Sequence, residues 1–330
     1  MERIAFLWQG TGRPVYWDTI FLLLGALTAL LFLIIFRLLG GAKLWPLIPV
    51  VPLAAAAAVY AARLVHWYCC TEDYPGLAAA LSDLETGSFS LAGALMGGTA
   101  AIALLGLIRI ISDLPAFLDD AAAAASAGIA VGRLGGMFSL SDHGKMIFEN
   151  AAEQALPVAS PVYDAVSGTY EWRFATFCFQ SIWAGAIFLI LVLVLIRRRA
   201  GKGSARPGAA FTLFLTLYCL GQILLDSTRY DALFLRSNGF VSMEQILCCA
   251  VLLTILAAAG RRAAKDGGFS AAHVCSLVLF LAGLGLARYM EYYVQRHGGA
   301  YVKAYSLMAA GLTLTFAAMR WMERKSRTKD

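Results

Sequence analysis

The sequence predicts an all-α polytopic membrane protein with about nine transmembrane helices, and two observations support this fold class. Hydrophobic residues make up 60% of the 330 residues and charged residues 15%, whereas a soluble domain has about 45–50% apolar and about 25% charged residues. The apolar residues also lie in long runs without charge. This composition excludes a soluble enzyme, a disordered chain and a nucleic-acid-binding domain.

Nine apolar stretches have the length of a transmembrane helix, which needs roughly 17–25 mostly apolar residues. In the third stretch, Gly93 and Gly97 stand at GxxxG spacing, which is typical of a helix that packs closely on another helix. The nine stretches are residues 19–36, 44–65, 90–111, 114–134, 174–196, 209–227, 240–259, 271–293 and 304–322.

The basic residues predict the orientation of these helices. More than half of the 27 Lys and Arg residues lie in one set of alternate connections, which includes the run Arg197–Arg199 and the C-terminal tail. Because connections rich in Lys and Arg stay in the cytoplasm, we expect the N-terminus outside and the C-terminus in the cytoplasm. The net charge of +6 follows from this bias and needs no nucleic-acid partner.

Two long polar connections, residues 66–89 and 135–173, fall on the predicted outer side. Long loops on a rigid scaffold often hold functional residues, so we expect an outward-facing site. The seven cysteines include no CxxC pair, and no histidine stands at the spacing of a zinc ligand. We therefore expect neither a metal nor a cofactor.

An arginine followed by a glycine-rich turn stands at the end of the fourth predicted helix. The guanidinium group of Arg133 is suited to a phosphate, and the glycines after it allow backbone N–H groups to approach an anion. The alternative is an interfacial arginine that reaches lipid phosphates from the helix end. The candidate anion-binding residues here are Arg133, Gly135, Gly136, Ser139 and Lys145, and His143 lies between them.

A second polar group ends the sixth predicted helix. Gln222 and Asp226 are four residues apart, and Asp226 and Arg229 are three apart, so a helix would place all three on one face. Ionisable groups at the edge of a membrane span are costly and often functional. The alternative is a local Asp–Arg pair that caps the helix end.

Several other polar residues are expected to be structural. We predict that Asp119 and Asp120 form a solvated helix start, that His66 lies in the interfacial region at the end of the second helix, and that Glu291 belongs to the last outer loop.

These groups, in this order, resemble the prolipoprotein diacylglyceryl transferase family from about Arg13 to about Ala259. The family signature G-R-I-G-N-F-I-N-G-E-x-x-G-R aligns without a gap with Gly132–Lys145, GRLGGMFSLSDHGK. The opening Gly-Arg, the next Gly and the closing Gly with a basic residue are kept. Gly136 and Ser139 replace the two family Asn residues, and Ser141 replaces the Glu.

Weaker parts of the resemblance lie on both sides of this signature. The family pattern R-H-P-x-Q-L-Y-E resembles Arg173–Gln180, where Gln180 replaces the Glu, and Y-G-x-x-R-x-x-x-E-x-x-R resembles Tyr218–Arg229. In the second pattern Gln222 replaces an Arg and Asp226 replaces the Glu. The family F-H-G-G-L-x-G resembles Leu91–Gly97, where Ala92 replaces the His.

The resemblance implies a lipid transferase of the bacterial inner (cytoplasmic) membrane. Its partners would be phosphatidylglycerol, an anionic phospholipid, and the signal peptide of a lipoprotein precursor, whose lipobox Cys thiol receives the diacylglyceryl group. The candidate catalytic residues are Arg133, Asp226 and Arg229, which stand at family positions, and His143, which could replace the family His. The implied headgroup-binding residues are Arg133, Gly135, Gly136, Ser139, Lys145, Gln222 and Gln180.

The substitutions leave a second function open. An Arg-to-Gln change at position 222 removes a charge that would balance a phosphate, and the family His is absent at position 92. His143 or His66 would have to replace that base, and Lys145 the missing charge. The alternatives are a non-catalytic descendant that binds lipid or lipoprotein precursor, and a transporter, for which the expected matched interruptions in two halves are not seen.

The resemblance also divides the chain. Residues 1–270 are predicted to form a seven-helix membrane domain. Residues 271–330 are predicted to add two transmembrane helices and a basic cytoplasmic tail.

Overall fold

The computed structural model describes most of the chain as helix. The described residues are 4–7, 14–82, 89–139, 142–147, 159–164, 168–201, 206–230, 232–235, 238–265, 270–297 and 301–327. The helices are α1 Trp17–Leu39, α2 Leu47–Cys69, α3 Leu77–Ser82, α4 Leu91–Leu107, α5 Leu114–Arg133, α6 Thr176–Arg199, α7 Ala209–Ser227, α8 Met243–Lys265, α9 Ala271–His297 and α10 Tyr301–Arg327.

Each of the nine predicted spans corresponds to one helix, so the polytopic all-α prediction is confirmed. Within the described ranges, eight helices are long and apolar enough to cross a membrane. The exception is α4, which has only 17 residues and was predicted to reach residue 111. It ends early because Arg109 adopts a left-handed conformation with φ of 62°, and the N–H of Ile110 then turns back to the carbonyl of Leu105 at 3.0 Å.

Three antiparallel two-stranded sheets in the connections were not predicted. β1 (Ile4–Leu7) pairs with β2 (Pro14–Tyr16), β3 (Ala159–Asp164) with β4 (Thr169–Phe174), and β5 (Phe234–Leu235) with β6 (Asn238–Ser242). Two isolated antiparallel bridges, which pair Gly144 with Arg229 and Met146 with Arg173, add strand pairing beside β4.

The chain forms two compact units. The first contains Met1–Asp142, Phe177–Phe214 and Asp231–Leu247, and the second contains His143–Thr176, Leu215–Tyr230 and Cys248–Asp330. The boundary between the units falls inside α7, after Phe214, and inside α8, after Leu247. The domain boundary expected at residue 270 stays a prediction.

Glycines bring helices of the first unit into close contact. A Cβ atom on Gly93 would lie 2.6 Å from the carbonyl oxygen of Ala61 on α2, which confirms the packing predicted from the GxxxG pattern. In the same way, α1 and α5 meet where a Cβ atom on Gly128 would lie 2.6 Å from the carbonyl oxygen of Gly25. Both helix pairs can approach this closely only because these positions lack side chains.

Buried acidic residues in the first unit correct the prediction of a solvated helix start. Asp119 and Asp120 lie inside α5 and are 0% and 4% exposed. Asp119 pairs with Arg198, and Asp120 accepts a hydrogen bond of 2.9 Å from Arg199. Arg37 of α1 lies 3.6 Å from the other oxygen of Asp120. These ion pairs join α1, α5 and α6 near one end.

The second unit has a core formed by four helices. Apolar side chains of α7 and α8 pack against side chains of the α9–α10 hairpin, which include Phe280, Ala287, Met308 and Leu312. A smaller cluster joins the connection before α6 to the same hairpin through Ile147, Phe174, Val294, Tyr301 and Ala304.

Candidate functional site

Arg133 is the last residue of α5, and a short 3₁₀ turn, Leu134–Phe138, follows it directly. Its side chain is 16% exposed, and Nη1 lies 3.6 Å from Oδ1 of Asp142. This distance is longer than a hydrogen bond. The guanidinium group is therefore partly balanced in charge while its N–H groups can still donate to another acceptor.

Packing, more than backbone freedom, explains the two glycines after Arg133. A Cβ atom on Gly135 would lie 2.8 Å from Cβ of Phe21 on α1, and one on Gly136 would lie 2.7 Å from Cβ of Phe177 on α6. Phe138 then stacks on Trp17 with ring centroids 5.3 Å apart. The turn is thus pressed against α1 and α6, which fixes the position of Arg133 at its start.

Ser139 and Gln180 are the other predicted headgroup-binding residues in the first unit. Ser139 is buried, and its N–H donates to the carbonyl of Gly136 at 3.2 Å. Gln180 is also buried, and its Nε2 donor has no hydrogen-bond partner among the residues that the structure describes. Beside it, Ser181 Oγ donates to the carbonyl of Ala130 on α5 at 2.6 Å, which joins the two helices at this level.

The second unit holds His143 and Lys145 in an extended segment. The N–H of Lys145 donates to the carbonyl of Thr228 at 2.7 Å, and its carbonyl accepts from the N–H of Phe174 at 3.2 Å. The N–H of Gly144 donates to Phe174 at 2.7 Å. The backbone of this segment is therefore fixed on both sides, by β4 and by the residues that follow α7.

Gly144 is the glycine that the second unit requires most strictly. A Cβ atom there would lie 2.5 Å from Oγ1 of Thr176, from the carbonyl of Thr228 and from Cβ of Phe174. Oγ1 of Thr176 belongs to a short side chain and the carbonyl of Thr228 to the backbone, so neither atom can move away easily. The hydroxyl groups of Thr176 and Thr228 also lie 2.8 Å apart and form a hydrogen bond, so the surroundings are rigid.

The prediction for the end of α7 is correct for two of its three residues. Gln222 and Asp226 lie on the helix and are both buried. The helix ends at Ser227, however, and the N–H of Arg229 donates to the carbonyl of Asp226 in a turn at 3.1 Å. Arg229 is therefore not on the helix face, because the chain turns there to pair with Gly144.

Buried donors without partners also occur in the second unit. Nε2 of Gln222 and Nη1 of Arg173 have no hydrogen-bond partner among the described residues. An unsatisfied buried donor costs about 1–3 kcal/mol, so such groups need an explanation. Gln222 was predicted to bind a headgroup, and an acceptor from a bound ligand would satisfy it.

The electrostatic surroundings of Lys145 are unusual for a residue in a connection. Burial lowers the pKa of its ammonium group from the ordinary value of 10.5, while the nearby carboxylates of Glu291 and Asp226 act to raise that pKa. Burial disfavours the charged form of a lysine, and opposite charges favour it. The two carboxylates thus offset part of the effect that burial has on the pKa of Lys145.

Sequence reasoning missed the position of Glu291. It was placed in a loop, but it lies inside α9 and is buried. His66 was placed in the interfacial region, but it is also buried. Its Nδ1 lies 3.1 Å from the hydroxyl of Tyr74, to which Nη1 of Arg63 donates at 3.0 Å. Both positions are revealed by burial, for which the sequence pattern carries no signal.

Ser141 lies outside the described residues. Within the ranges that are described, no group of three or more His, Cys, Asp or Glu side chains is arranged to hold a metal ion.

Comparison with known proteins decides the family. The family model described as prolipoprotein diacylglyceryl transferase matches residues 5–261. The chain belongs to this family. The match covers α1 to α8 almost completely and excludes the α9–α10 hairpin, so this prolipoprotein diacylglyceryl transferase family member carries two helices beyond the matched residues.

Individual relatives carry the same functional name. The chain is 27% identical over 198 residues to a phosphatidylglycerol–prolipoprotein diacylglyceryl transferase of Nostoc sp., a match that covers 60% of this chain and 66% of the relative. It is 26% identical over 252 residues to that of Enterococcus faecalis, covering 76% and 88%. A Clostridium botulinum relative is 26% identical over 62% of this chain and 75% of its own. The chain thus spans just under two thirds of the length of the Nostoc relative. No solved structure matches it.

Proposed function

We propose that this protein transfers a diacylglyceryl group from phosphatidylglycerol to the lipobox Cys thiol of a lipoprotein precursor. Family membership over residues 5–261 and the names of the relatives support this substrate pair. The structural observation that carries the proposal is Arg133, whose guanidinium group is fixed beside a packed glycine turn and, among the residues that the structure describes, is paired at 3.6 Å with Asp142.

The charge balance of the reaction explains why a cation is needed. The sulfur of the acceptor Cys, as a thiolate, forms a C–S bond to the glycerol carbon, and the C–O bond to the phosphate breaks. A phosphodiester with one negative charge then becomes glycerol phosphate, which carries two. Cations that contact the phosphate stabilise this added charge more strongly in the transition state than in the ground state.

The residues of each unit receive separate roles in this proposal. In the first unit, Arg133 neutralises the phosphate and Gln180 donates a hydrogen bond to the headgroup, which would satisfy its buried Nε2 group. Ser139 and the glycine turn shape that surface.

In the second unit, Lys145 adds positive charge, Gln222 donates from its unsatisfied amide, and Arg229 balances Asp226 or the leaving group. His143 is the candidate base that accepts the thiol proton. The joint action of all these residues stays a prediction.

We also propose that the protein lies in the bacterial cytoplasmic membrane with its N-terminus outside and its C-terminus in the cytoplasm. The distribution of Lys and Arg supports this orientation. Glu72 and Arg206 are exposed and fall in connections on opposite predicted sides. A membrane-impermeant maleimide added to intact spheroplasts should label Glu72→Cys above the native background and leave Arg206→Cys unlabelled. The reverse pattern would overturn the orientation.

A non-catalytic lipid-binding or lipoprotein-binding protein is the second candidate. The observation that favours it is that Ala92 stands where the resemblance places the family His, and Gln222 where it places an Arg. General acid–base help contributes about 10²–10⁴-fold in rate, so its loss without replacement would remove turnover and leave binding.

The deciding experiment supplies purified protein with phosphatidylglycerol and a lipobox peptide and measures glycerol phosphate. We expect release that requires the peptide Cys and that falls at least about 100-fold in Arg133→Ala, because a charge-assisted contact to the reacting group is lost. The matched control is Arg262→Ala, an exposed arginine at the far end of α8, which should retain full activity.

Two outcomes would overturn this assignment. Native release in Arg133→Ala would remove Arg133 from the site. No release from the native protein, beside a working family member, together with retained phosphatidylglycerol binding, would establish the second candidate.

A further inference from the structure

Arg173 on β4 is a buried cation whose hydrogen-bonding capacity is only partly used. The residue is 9% exposed, and its Nε and Nη2 atoms donate to a single oxygen of Glu171, Oε2, at 3.1 and 2.8 Å. The Nη1 atom is also buried and has no hydrogen-bond partner among the described residues. Because a guanidinium group carries five N–H donors in a planar fork, one edge of the fork remains for another acceptor.

The ring of Tyr230 covers this guanidinium group. The guanidinium carbon of Arg173 lies 4.6 Å from the centroid of the ring, which is within the range of a cation–π contact. The tyrosine itself is 64% exposed, which leaves its ring room to rotate away from the arginine. Tyr230 therefore has the position of a cover over the arginine.

The backbone that carries Arg173 is held on both sides of β4. Arg173 pairs with Ser160 of β3 on one side and with Met146 on the other. Next to it, the N–H of Ile147 donates to the carbonyl of Trp172 at 2.7 Å. The Cα atom of Arg173 is therefore fixed, and only rotation of its side chain can change the position of the guanidinium group.

The charge and shape of this group suit a phosphate oxygen. Arginine binds phosphate through parallel N–H bonds, and such charge-assisted bonds are about twice as strong as neutral ones. In the ligand-free protein the carboxylate of Glu171 takes the place of such an anion. Glu171 lies two residues before Arg173 on the same face of the strand, and its side chain is 20% exposed. It is thus close enough to hold the arginine and has room to leave it.

We infer that Arg173 binds the phosphate of the lipid headgroup, and that Glu171 and Tyr230 hold it in a closed state until the phosphate arrives. The phosphate then replaces the carboxylate of Glu171 on the guanidinium fork, and Nη1 gains an acceptor once the ring of Tyr230 moves aside. The inference rests on the proposed function, because phosphatidylglycerol is the phosphate ester that the names of the relatives supply. Free glycerol phosphate offers the same chemistry, so the test includes both sources.

The test measures the affinity of the full-length protein for two ligands in phosphatidylcholine nanodiscs. One ligand is phosphatidylglycerol in the nanodisc, and the other is glycerol phosphate in solution. Each apparent Kd is obtained from the rise in unfolding temperature as the amount of ligand increases. The variants are Arg173→Gln, Arg173→Lys, Glu171→Gln and Tyr230→Ala. The matched controls, Arg320→Gln and Glu323→Gln, each break a second Arg–Glu pair of the same unit, which is joined at 2.6 Å.

We expect changes at Arg173 and at Glu171 to shift the affinity for phosphatidylglycerol in opposite directions. Arg173→Gln should weaken binding at least about tenfold, because the charge-assisted bonds are lost. Glu171→Gln should strengthen binding at least about threefold, because the closed state loses its internal anion and a larger fraction of the protein is ready to bind. Tyr230→Ala should act in the same direction as Glu171→Gln, since it uncovers Nη1.

Arg173→Lys should recover only part of the loss, because a lysine supplies the charge without the planar fork. Both controls should bind as the native protein does. If Arg173→Gln yields little folded protein, Glu171→Gln decides alone, because a gain in affinity does not arise from misfolding.

A purely structural Arg–Glu pair predicts a different result, since loss of either partner would then weaken binding. Native or weakened binding in Glu171→Gln or in Tyr230→Ala overturns the closed state, and native binding in Arg173→Gln overturns the inference as a whole. A change in affinity for glycerol phosphate alone overturns the assignment to the lipid.

The proposed function fails separately from this inference. If the native protein binds phosphatidylglycerol through Arg173 but releases no glycerol phosphate with a lipobox peptide, the inference stands and transfer does not. If transfer occurs and Arg173→Gln binds both ligands as the native protein does, transfer stands and the inference does not. If the native protein binds neither ligand, both are overturned.

Discussion

The carboxylate of Asp119 accepts a hydrogen bond of 2.7 Å from the backbone N–H of Phe211, a residue 92 positions later in the chain. Its other oxygen accepts from the N–H of Gly208 at 2.8 Å and pairs with Arg198. The start of α7 is therefore capped by a side chain of α5, because the first N–H groups of a helix have no partners within that helix.

Replacing Asp119 should destabilise the protein strongly. We expect Asp119→Ala to lower the free energy of unfolding by about 3–5 kcal/mol, since it leaves Arg198 and two backbone N–H groups without their carboxylate. Asp113→Ala is the control. Asp113 caps only its own helix, by accepting from the N–H of Ala116 at 3.2 Å, so it should cost about 0.5–2 kcal/mol. Thermal unfolding in detergent measures both, and an equal loss would contradict the capping role.

Gly144 should tolerate no side chain. We expect Gly144→Ala to reduce transfer at least about tenfold and to lower the unfolding temperature, because its Cβ atom would meet three neighbours at 2.5 Å and displace the segment that carries Lys145. The control position is Gly185 on α6, where an added Cβ atom would have no neighbour within 4 Å. Gly185→Ala should leave activity intact and gain up to about 1 kcal/mol of helix stability. A tolerated alanine at position 144 would show that the segment can shift.

The pKa of Lys145 predicts two opposite pH effects. Because the folded pKa lies below 10.5, the charged form is lost at a lower pH than for a free lysine. Phosphatidylglycerol binding should therefore weaken as pH rises through that pKa. Between the folded pKa and 10.5 the unfolded chain binds more protons, so stability rises with pH over the same window. Measurement of both quantities from pH 6 to pH 10 checks the sign.

Lys145→Arg provides the control for the pH prediction, because a guanidinium group stays charged over the whole range. We expect the alkaline loss of lipid binding to move to higher pH in this variant. An unchanged alkaline limb would assign the loss to a different group.

Replacing Gln222 should stabilise the lipid-free protein and weaken its binding of phosphatidylglycerol. Its Nε2 donor is buried without a partner among the described residues. Gln222→Met keeps a similar volume and removes that donor, so we expect the lipid-free protein to gain about 1 kcal/mol. The same variant should lose the rise in unfolding temperature that phosphatidylglycerol produces. A variant with native lipid-induced stabilisation would exclude Gln222 from headgroup binding.

The positions of the spans followed from the sequence because apolar length alone determines them. The predicted stretch 271–293 and the helix Ala271–His297, for example, share their start and differ by a few residues at the end. The Gly93–Gly97 contact also followed, because small residues at this spacing have one common use in membranes. The turn at Arg109 did not, because nothing in the residue type announces a positive φ at a non-glycine position.

The buried ionic residues could not be predicted for a different reason. Asp119 and Glu291 stand beside polar neighbours in the sequence, which is the pattern of a helix end exposed to water. For Asp119, burial depends on a partner that another helix brings, Arg198, which is 79 residues away in the chain. It was predictable that Arg133 and the two glycines after it stand together at the end of α5, because one short motif holds them. The packing of Tyr301 and Tyr305 on Phe174 was not predictable, because these tyrosines lie beyond the family match.

The short helix α4 has a consequence for the surrounding bilayer. Its 17 residues, at a rise of about 1.5 Å each, extend over about 26 Å, while the hydrocarbon layer is about 30 Å thick. Lipids beside α4 must therefore shorten or tilt to cover it, which is the usual response to hydrophobic mismatch. If both leaflets share this difference equally, a phospholipid headgroup beside α4 lies about 2 Å nearer the membrane centre than elsewhere, so the membrane itself would contribute a small part of the work of extracting it.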